Sequence, residues 1–75
     1  MKTFNVSLKS INDVKDLVNI VSKYDFDVDL VSGRYIVDAK SIMGIFCLDL
    51  SKPIQVEVHS DDCDKFVEEI KNLIV

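Results

Sequence analysis

Few side chains in this sequence have a type and spacing that support chemistry at neutral pH. There is one histidine, His59, and there are two cysteines, Cys47 and Cys63. The cysteines form no C-x-x-C pair and are too few for a disulfide framework, so we expect buried free thiols. A zinc site needs more ligands than these three residues provide unless carboxylates join them. The sequence therefore predicts no metal site and no bound cofactor.

Ser41 is the hydroxyl with the best-defined surroundings. It follows Lys40 and opens the apolar segment 42–48. As a helix N-cap, its oxygen accepts a hydrogen bond from an N–H group of the first turn, which is a sufficient reason for a serine there. The position also suits a phosphoryl group, because a helix N-terminus offers free N–H donors and a positive dipole end. Ser41 is therefore a candidate for regulatory phosphorylation, with capping as the alternative role.

Hydrophobic periodicity predicts the elements that position these residues. Alternating apolar and polar residues predict strands at 4–8, 27–30, 34–38 and 54–58, and Ser32-Gly33 predicts a hairpin turn. Helical spacing predicts one helix from Ser10 or Asn12 to about residue 23, one at 42–48, and one after Asp61 and Asp62, whose charges complement its N-terminus. The order is βαββαβα, in a single domain of residues 1–75.

These elements predict an α+β open-faced β-sandwich. Helices laid across one side of the sheet bury the apolar stripes of the helices against the apolar face of the strands. The other side of the sheet is then polar and solvated. We expect it to carry Asn5, Ser7, Asp27, Asp29, Gln55, Glu57 and His59.

The segment 42–48 has apolar residues on two sides. At 100° per residue, Ile45 and Leu48 share one side, while Ile42, Met43 and Phe46 share another. A helix on a sheet buries only one of them. We interpret the second side as an exposed patch that docks a protein partner. The alternative is that the exit loop or a neighbouring molecule covers it.

Charge and hydropathy exclude other partners. The formal net charge is −4, with acidic residues spread from Asp13 to Glu69, so no basic stripe is available for nucleic acid. The longest apolar stretch, 42–48, is far short of a membrane span, and the first residues have no signal-peptide core. We therefore expect no membrane partner and a cytoplasmic location.

Three motifs resemble one family. Lys40-Ser41-Ile42-Met43-Gly44 is similar to the K-S-I-M-G segment of HPr, the histidine-containing phosphocarrier of Gram-positive bacteria, in which the serine is the target of a regulatory kinase. Lys2-Thr3-Phe4 and Ser22-Lys23-Tyr24-Asp25 also resemble HPr, and the likeness covers essentially the whole chain. The resemblance implies a four-stranded antiparallel sheet with three helices on one face, and a place in the phosphoenolpyruvate-dependent sugar phosphotransferase system.

The chain departs from this family where HPr carries phosphate. HPr proteins have Gly-Ile-His-Ala-Arg-Pro there, but this chain has the shorter, degenerate loop Ser10, Ile11, Asn12, Asp13. Neither Ser10 nor Asn12 forms a high-energy phosphoramidate, and no arginine assists Asp13 in forming an acyl phosphate. His59 cannot substitute, because it is predicted on the fourth strand, away from the first loop. We therefore predict that the protein is not an enzyme or phosphocarrier.

The resemblance implies a regulatory, protein-binding module. Ser41 would be the kinase target, and Lys40, Ile42, Met43 and Phe46 would meet HPr kinase or the catabolite control protein. Two alternatives stay open. One is a structural protein whose apolar helix pairs with its own copy in a symmetric dimer, so we expect either a monomer or a weak homodimer. The other is a phosphocarrier that uses a different residue.

Overall fold

Four antiparallel strands form the sheet in a computed structural model that describes residues 1–75. The strand order is β1-β4-β2-β3, and every neighbouring pair is antiparallel. This confirms the predicted α+β open-faced sandwich. No helix is both long and apolar enough to cross a membrane. The elements are β1 (Lys2–Val6), α1 (Ile11–Val21), β2 (Val28–Ser32), β3 (Tyr35–Asp38), α2 (Ile42–Ile45), β4 (Ile54–Val58), α3 (Asp64–Glu69) and a 3-10 helix (Lys71–Leu73).

One face of the sheet packs against the helices and forms the core. The cross-strand row Phe4, Val56, Leu30 and Val37 runs across all four strands and lies on this face. All sixteen buried residues belong to a single hydrophobic cluster, and none of them is polar or charged. The polar residues of the strands are thereby left on the other, open face, as the alternation predicted.

The start of α1 is fixed by the predicted S-x-x-D motif. The Ser10 hydroxyl accepts a hydrogen bond from the backbone N–H of Asp13 at 3.2 Å, and the Asp13 carboxylate accepts one from the N–H of Lys9 at 3.0 Å. The helix ends at Val21, two residues before the predicted end. The N–H of Ser22 still bonds four residues back, to Val18, but those of Lys23 and Tyr24 bond three residues back, which closes the helix in a tight turn.

Gly33 makes the turn between β2 and β3. It occupies the first of two loop positions and has φ of +58°, a backbone conformation that side chains with a Cβ rarely adopt. The predicted hairpin at Ser32-Gly33 is confirmed.

The N-terminus of α3 differs from the prediction. Asp61 accepts an ion-paired hydrogen bond from the N-terminal ammonium of Met1 at 2.9 Å. The N-cap is Cys63, which makes no side-chain cap bond, and the acidic residue of the first turn is Asp64. The chain after residue 60 therefore turns into the helix later than the acidic pair suggested.

The C-terminal segment covers the edge of β1. The N–H of Ser7 donates to the carbonyl of Leu73 at 2.8 Å, and the N–H of Val75 donates to the carbonyl of Asn5 at 3.0 Å. These bonds occupy backbone groups that an exposed edge strand would offer to another chain.

Glu69 joins α3 to the end of α1 through two hydrogen bonds. Its carboxylate accepts one from the Lys23 ammonium, at 2.7 Å, and one from the Tyr24 hydroxyl. The bond from Lys23, followed by that from Tyr24, lowers the pKa of Glu69 from its ordinary value of 4.5. The bond to Glu69, with burial and repulsion from its charge, raises the pKa of Tyr24 to about 12.

These shifts predict a pH window for this contact. The pKa of Glu69 is lowered by folding, so its stabilisation is complete above about pH 4.5 and is lost as the pH falls through the folded value. The pKa of Tyr24 is raised, so its stabilisation is complete below about pH 10 and is lost as the pH rises towards about 12.

Tyrosinate absorbance measures the alkaline side directly. In a Tyr35→Phe variant, Tyr24 is the only tyrosine, and we expect its titration midpoint near pH 12. Adding Glu69→Gln should lower the midpoint because the acceptor loses its charge. A midpoint near 10 before Glu69 is changed would contradict the contact.

Candidate functional site

The second helix is shorter than predicted. The sequence predicted two turns over 42–48, but α2 spans only Ile42–Ile45. Beyond it, the N–H of Cys47 bonds to the carbonyl of Gly44 at 3.1 Å, and that of Leu48 bonds to Ile45 at 3.0 Å. These bonds reach back three residues, so the segment continues as a tighter 3-10 turn.

The predicted two sides of this segment are present. Ile45 is completely buried and Leu48 is nearly so, whereas Met43 is 75 % exposed and Phe46 is 44 % exposed. The prediction that Ile42 is exposed was wrong, because it is half-buried and packs against the core. At 100° per residue, Ile42 lies only about 60° from Ile45 around the helix, at the edge of the buried side.

Ser41 is the N-cap of α2, as predicted. Its exposed hydroxyl accepts a hydrogen bond from the backbone N–H of Gly44 at 3.2 Å. A Cβ at position 44 would lie 3.2 Å from the Ser41 Oγ and 3.3 Å from the Cβ of Val37. The glycine therefore lets α2 approach β3 closely while Ser41 keeps its cap.

Lys40 lies beside Ser41 in the chain but is held elsewhere. Its backbone N–H donates to a carboxylate oxygen of Asp38 at 2.8 Å, and its ammonium lies 3.4 Å from the backbone carbonyl of Tyr24. The Lys40 ammonium thus donates a hydrogen bond to the turn that follows α1.

The structure brings the β1–α1 loop next to the end of α2. A depression of about 350 Å³ lies between them, and Ile11, 60 % exposed, lines it together with Phe46. Four of its residues, Leu8, Lys9, Leu50 and Ser51, were not predicted as site residues; an apolar Leu50 within a polar exit loop was the available signal. The complete lining is Leu8, Lys9, Ser10, Ile11, Phe46, Leu50 and Ser51.

The rest of the degenerate loop points away from this depression. Asn12 lines no cavity, and Asp13 lines a larger cleft, of about 430 Å³, between α1 and the C-terminal segment. Asp16 and Glu69 line the same cleft, where Lys9 is the one basic residue. Three carboxylates facing a single ammonium make this cleft unfavourable for a phosphate-bearing ligand.

The two cysteines differ in exposure. Cys63 is buried as expected, but Cys47 is exposed, so the prediction was wrong for that thiol. Cys47 follows Ile45 by two residues, about 200° around the helical turn, which places it opposite the buried side. Its Sγ lies 3.5 Å from the carbonyl of Met43.

His59 is exposed on the open face of the sheet, as predicted. It follows Val58, which pairs with Lys2 at the start of β1, whereas the β1–α1 loop follows Val6 at the other end of that strand. Four residues of extended chain separate the two ends by about 14 Å. His59 and the degenerate loop are therefore parts of different sites.

An antiparallel sheet in the order β1-β4-β2-β3, with helices on one face and a serine capping the short second helix, defines the class of HPr-like open-faced sandwiches. The family model for "PTS HPr component phosphorylation site" matches residues 11–75. The chain belongs to the HPr family of the phosphotransferase system.

Solved structures agree with this membership. HPr-C-His from Thermoanaerobacter tengcongensis is similar with a TM-score of 0.79 and 25% identity, over 99% of this chain and 91% of that one. Phosphocarrier protein HPr from Bacillus anthracis str. Ames has a TM-score of 0.72 and 23% identity, over 99% and 94%. The histidine-containing phosphocarrier protein of Mycoplasma has a TM-score of 0.75 and 17% identity, over 95% of this chain and 89% of that one. The likeness to the Bacillus anthracis and Mycoplasma proteins, which are less than 25% identical to this chain, shows a shared fold.

Proposed function

We propose that this chain is a non-catalytic member of the HPr family that acts by binding a protein partner and is regulated at Ser41. The observation that carries the proposal is the position of the one histidine. His59 lies on the open face, at the end of the sheet opposite the β1–α1 loop. No imidazole is therefore available where the helix α1 begins.

The remaining side chains of that loop are engaged in starting α1. The Ser10 hydroxyl caps the helix, and the Asp13 carboxylate accepts a hydrogen bond from the backbone of Lys9. Phosphoryl transfer needs a nucleophile and a cation to stabilise the transferring group. The only arginine, Arg34, lies in the turn between β2 and β3. The loop thus provides helix-capping contacts but neither an imidazole nor an arginine, and Lys9, the one cation beside Asp13, faces three carboxylates.

Partner binding is supported by an exposed apolar surface. We call Ile11, Met43, Phe46 and Leu50 the α2 surface. The first three are exposed large apolar side chains, and Leu50 lines the same depression as Ile11 and Phe46. Contiguous exposed apolar groups mark interaction sites, and methionine adapts to varied partners. The α2 surface fits a cytoplasmic protein, with HPr kinase and a catabolite control protein as the partners suggested by family.

Incubation with phosphoenolpyruvate and enzyme I tests the non-catalytic part. A phosphocarrier HPr serves as the positive control in the same reaction. We expect acid-labile phosphate on the control and none on this chain, because no imidazole is within reach of the loop. Stable transfer to this chain would overturn this part of the proposal.

Treatment with HPr kinase and ATP, followed by mass measurement, tests Ser41. Wild type should gain one phosphoryl group, and Ser41→Ala should gain none. Because losing the cap costs about 1 kcal/mol, Ser41→Asn is the matched variant that keeps a capping side chain without a phosphorylatable hydroxyl. An unmodified wild type, or modification that persists in both variants, would remove Ser41 from the proposal.

A symmetric homodimer is the second candidate, favoured by the same exposed Met43 and Phe46. Sedimentation equilibrium at micromolar concentration distinguishes the homodimer from a module that binds a different protein. A strict monomer leaves the α2 surface for another protein, whereas a dimer that Phe46→Lys dissociates would assign the surface to self-association.

A further inference from the structure

We propose that Asp29, Glu57 and His59 form a binding site for one divalent transition-metal ion on the open face of the sheet. The three side chains each offer one ligand atom, and these atoms all lie within 4.8 Å of one another. The site is at the other side of the sheet from the helices, so it is independent of the function proposed for Ser41 and the α2 surface.

The strand register brings the three ligands together. Asp29 of β2 pairs directly with Glu57 of β4, so their side chains lie side by side on one face. His59 follows Glu57 by two residues and faces the same way. The N–H of His59 donates to the carbonyl of Asp27 at 2.9 Å, which extends the ladder and fixes the backbone that carries the imidazole.

The imidazole already points into the cluster. His59 Nε2 lies 2.9 Å from Asp29 Oδ2, and its N–H donates a hydrogen bond to that carboxylate. A metal ion can replace this proton and keep both groups as ligands. Metal–ligand bonds of about 2.1 Å set neighbouring donor atoms about 3.0–3.4 Å apart, which small side-chain rotations reach from the observed spacing.

The surrounding charges favour a cation. Asp29 is flanked across the sheet by Glu57 on one side and by Asp38 on the other, and Asp27 lies two residues before it. Like charges directly opposite each other destabilise a sheet. Among the ion pairs of the structure, only that between His59 and Asp29 involves this cluster, and no lysine or arginine neutralises it. A dication would relieve this repulsion.

The ligand types select the class of metal. Mg²⁺ and Ca²⁺ take oxygen ligands, whereas an imidazole together with carboxylates suits Zn²⁺ and similar transition ions. Three protein ligands leave a fourth position for water or for a side chain of another molecule. The sequence predicted no metal site because it did not reveal which carboxylates would join His59.

Calorimetric titration of the metal-free full-length chain with Zn²⁺ tests the proposal. Cys47→Ser is used as the parent, because its exposed thiol is a competing ligand. We expect one ion per chain, with a dissociation constant below roughly 100 µM. His59→Gln in this parent should weaken binding at least about tenfold. The matched control is Glu68→Gln, an exposed carboxylate on α3, which should leave the affinity unchanged.

Amide chemical shifts of the Cys47→Ser parent locate the ion without relying on a ligand variant. Addition of Zn²⁺ should move the amides of residues 27–29 and 57–59 most. Shifts centred elsewhere would overturn the proposal, as would equal affinity of His59→Gln and its parent or a titration that does not saturate. Circular dichroism of each variant establishes that the fold is intact, so that a loss of binding reports on the ligand.

Discussion

Phe66→Ala should lower the free energy of unfolding by about 3–5 kcal/mol, the usual range for truncating a buried phenylalanine. Phe66 on α3 is completely buried. Its ring meets those of Tyr24 and Phe26 edge to face, with centroids 5.5 Å and 5.7 Å away. The substitution removes this packing between α3 and the turn after α1 and leaves a cavity in the one core.

The consequence is large because the domain is small. At the usual stability per residue, 75 residues have a total of about 4–11 kcal/mol, so the loss brings the chain close to unfolding. Urea denaturation followed by circular dichroism measures it. Phe46→Ala is the matched control, since the same atoms are removed from a side chain that is 44 % exposed. Similar losses in the two variants would contradict the assignment of Phe66 to the core.

Ile45→Ala should cost about 2–5 kcal/mol, while Met43→Ala stays within about 0.5 kcal/mol of wild type. The two residues lie on the same helical turn. Ile45 is completely buried, and Met43 is 75 % exposed. The difference arises because only the Ile45 side of α2 packs onto the sheet, where truncation leaves a cavity.

The variants Ile45→Ala and Met43→Ala also distinguish an effect on folding stability from an effect on partner binding. If the α2 surface docks a protein, Met43→Ala weakens that complex while the free protein keeps its stability. Chemical denaturation of both variants, with affinity measured for Met43→Ala, provides the comparison. Equal destabilisation by the two substitutions would mean that α2 has no solvent side, and the α2 surface would then have no physical basis.

The two proposed sites lie on different sides of the sheet. The helix side holds the core, the N-cap residue Ser41 and the α2 surface, and the open face of the sheet holds Asp29, Glu57 and His59. A change in one region should therefore leave the other intact, so the proposed regulation at Ser41 and the proposed metal binding can be tested separately.

Much of this architecture could be predicted from neighbouring residues in the sequence. The cap at Ser10, the turn at Gly33 and the exposure of Met43 each depend on a few consecutive residues. Alternation with a period of two or 3.6 residues is likewise local, and it identified the strands, the helices and their buried faces. The family motif around Ser41 belongs to the same kind of information.

The tertiary structure alone decided how distant segments meet. In the structure α2 is shorter than predicted, Ile42 is half-buried and Cys47 is exposed. The β1–α1 loop lies beside Phe46. Periodicity assigns a residue to a face, but which residues on two strands stand opposite each other depends on register, which packing and hydrogen bonding set across the whole sheet. Only that register placed Asp29 beside Glu57 and so created a candidate metal site from residues that the sequence left apart.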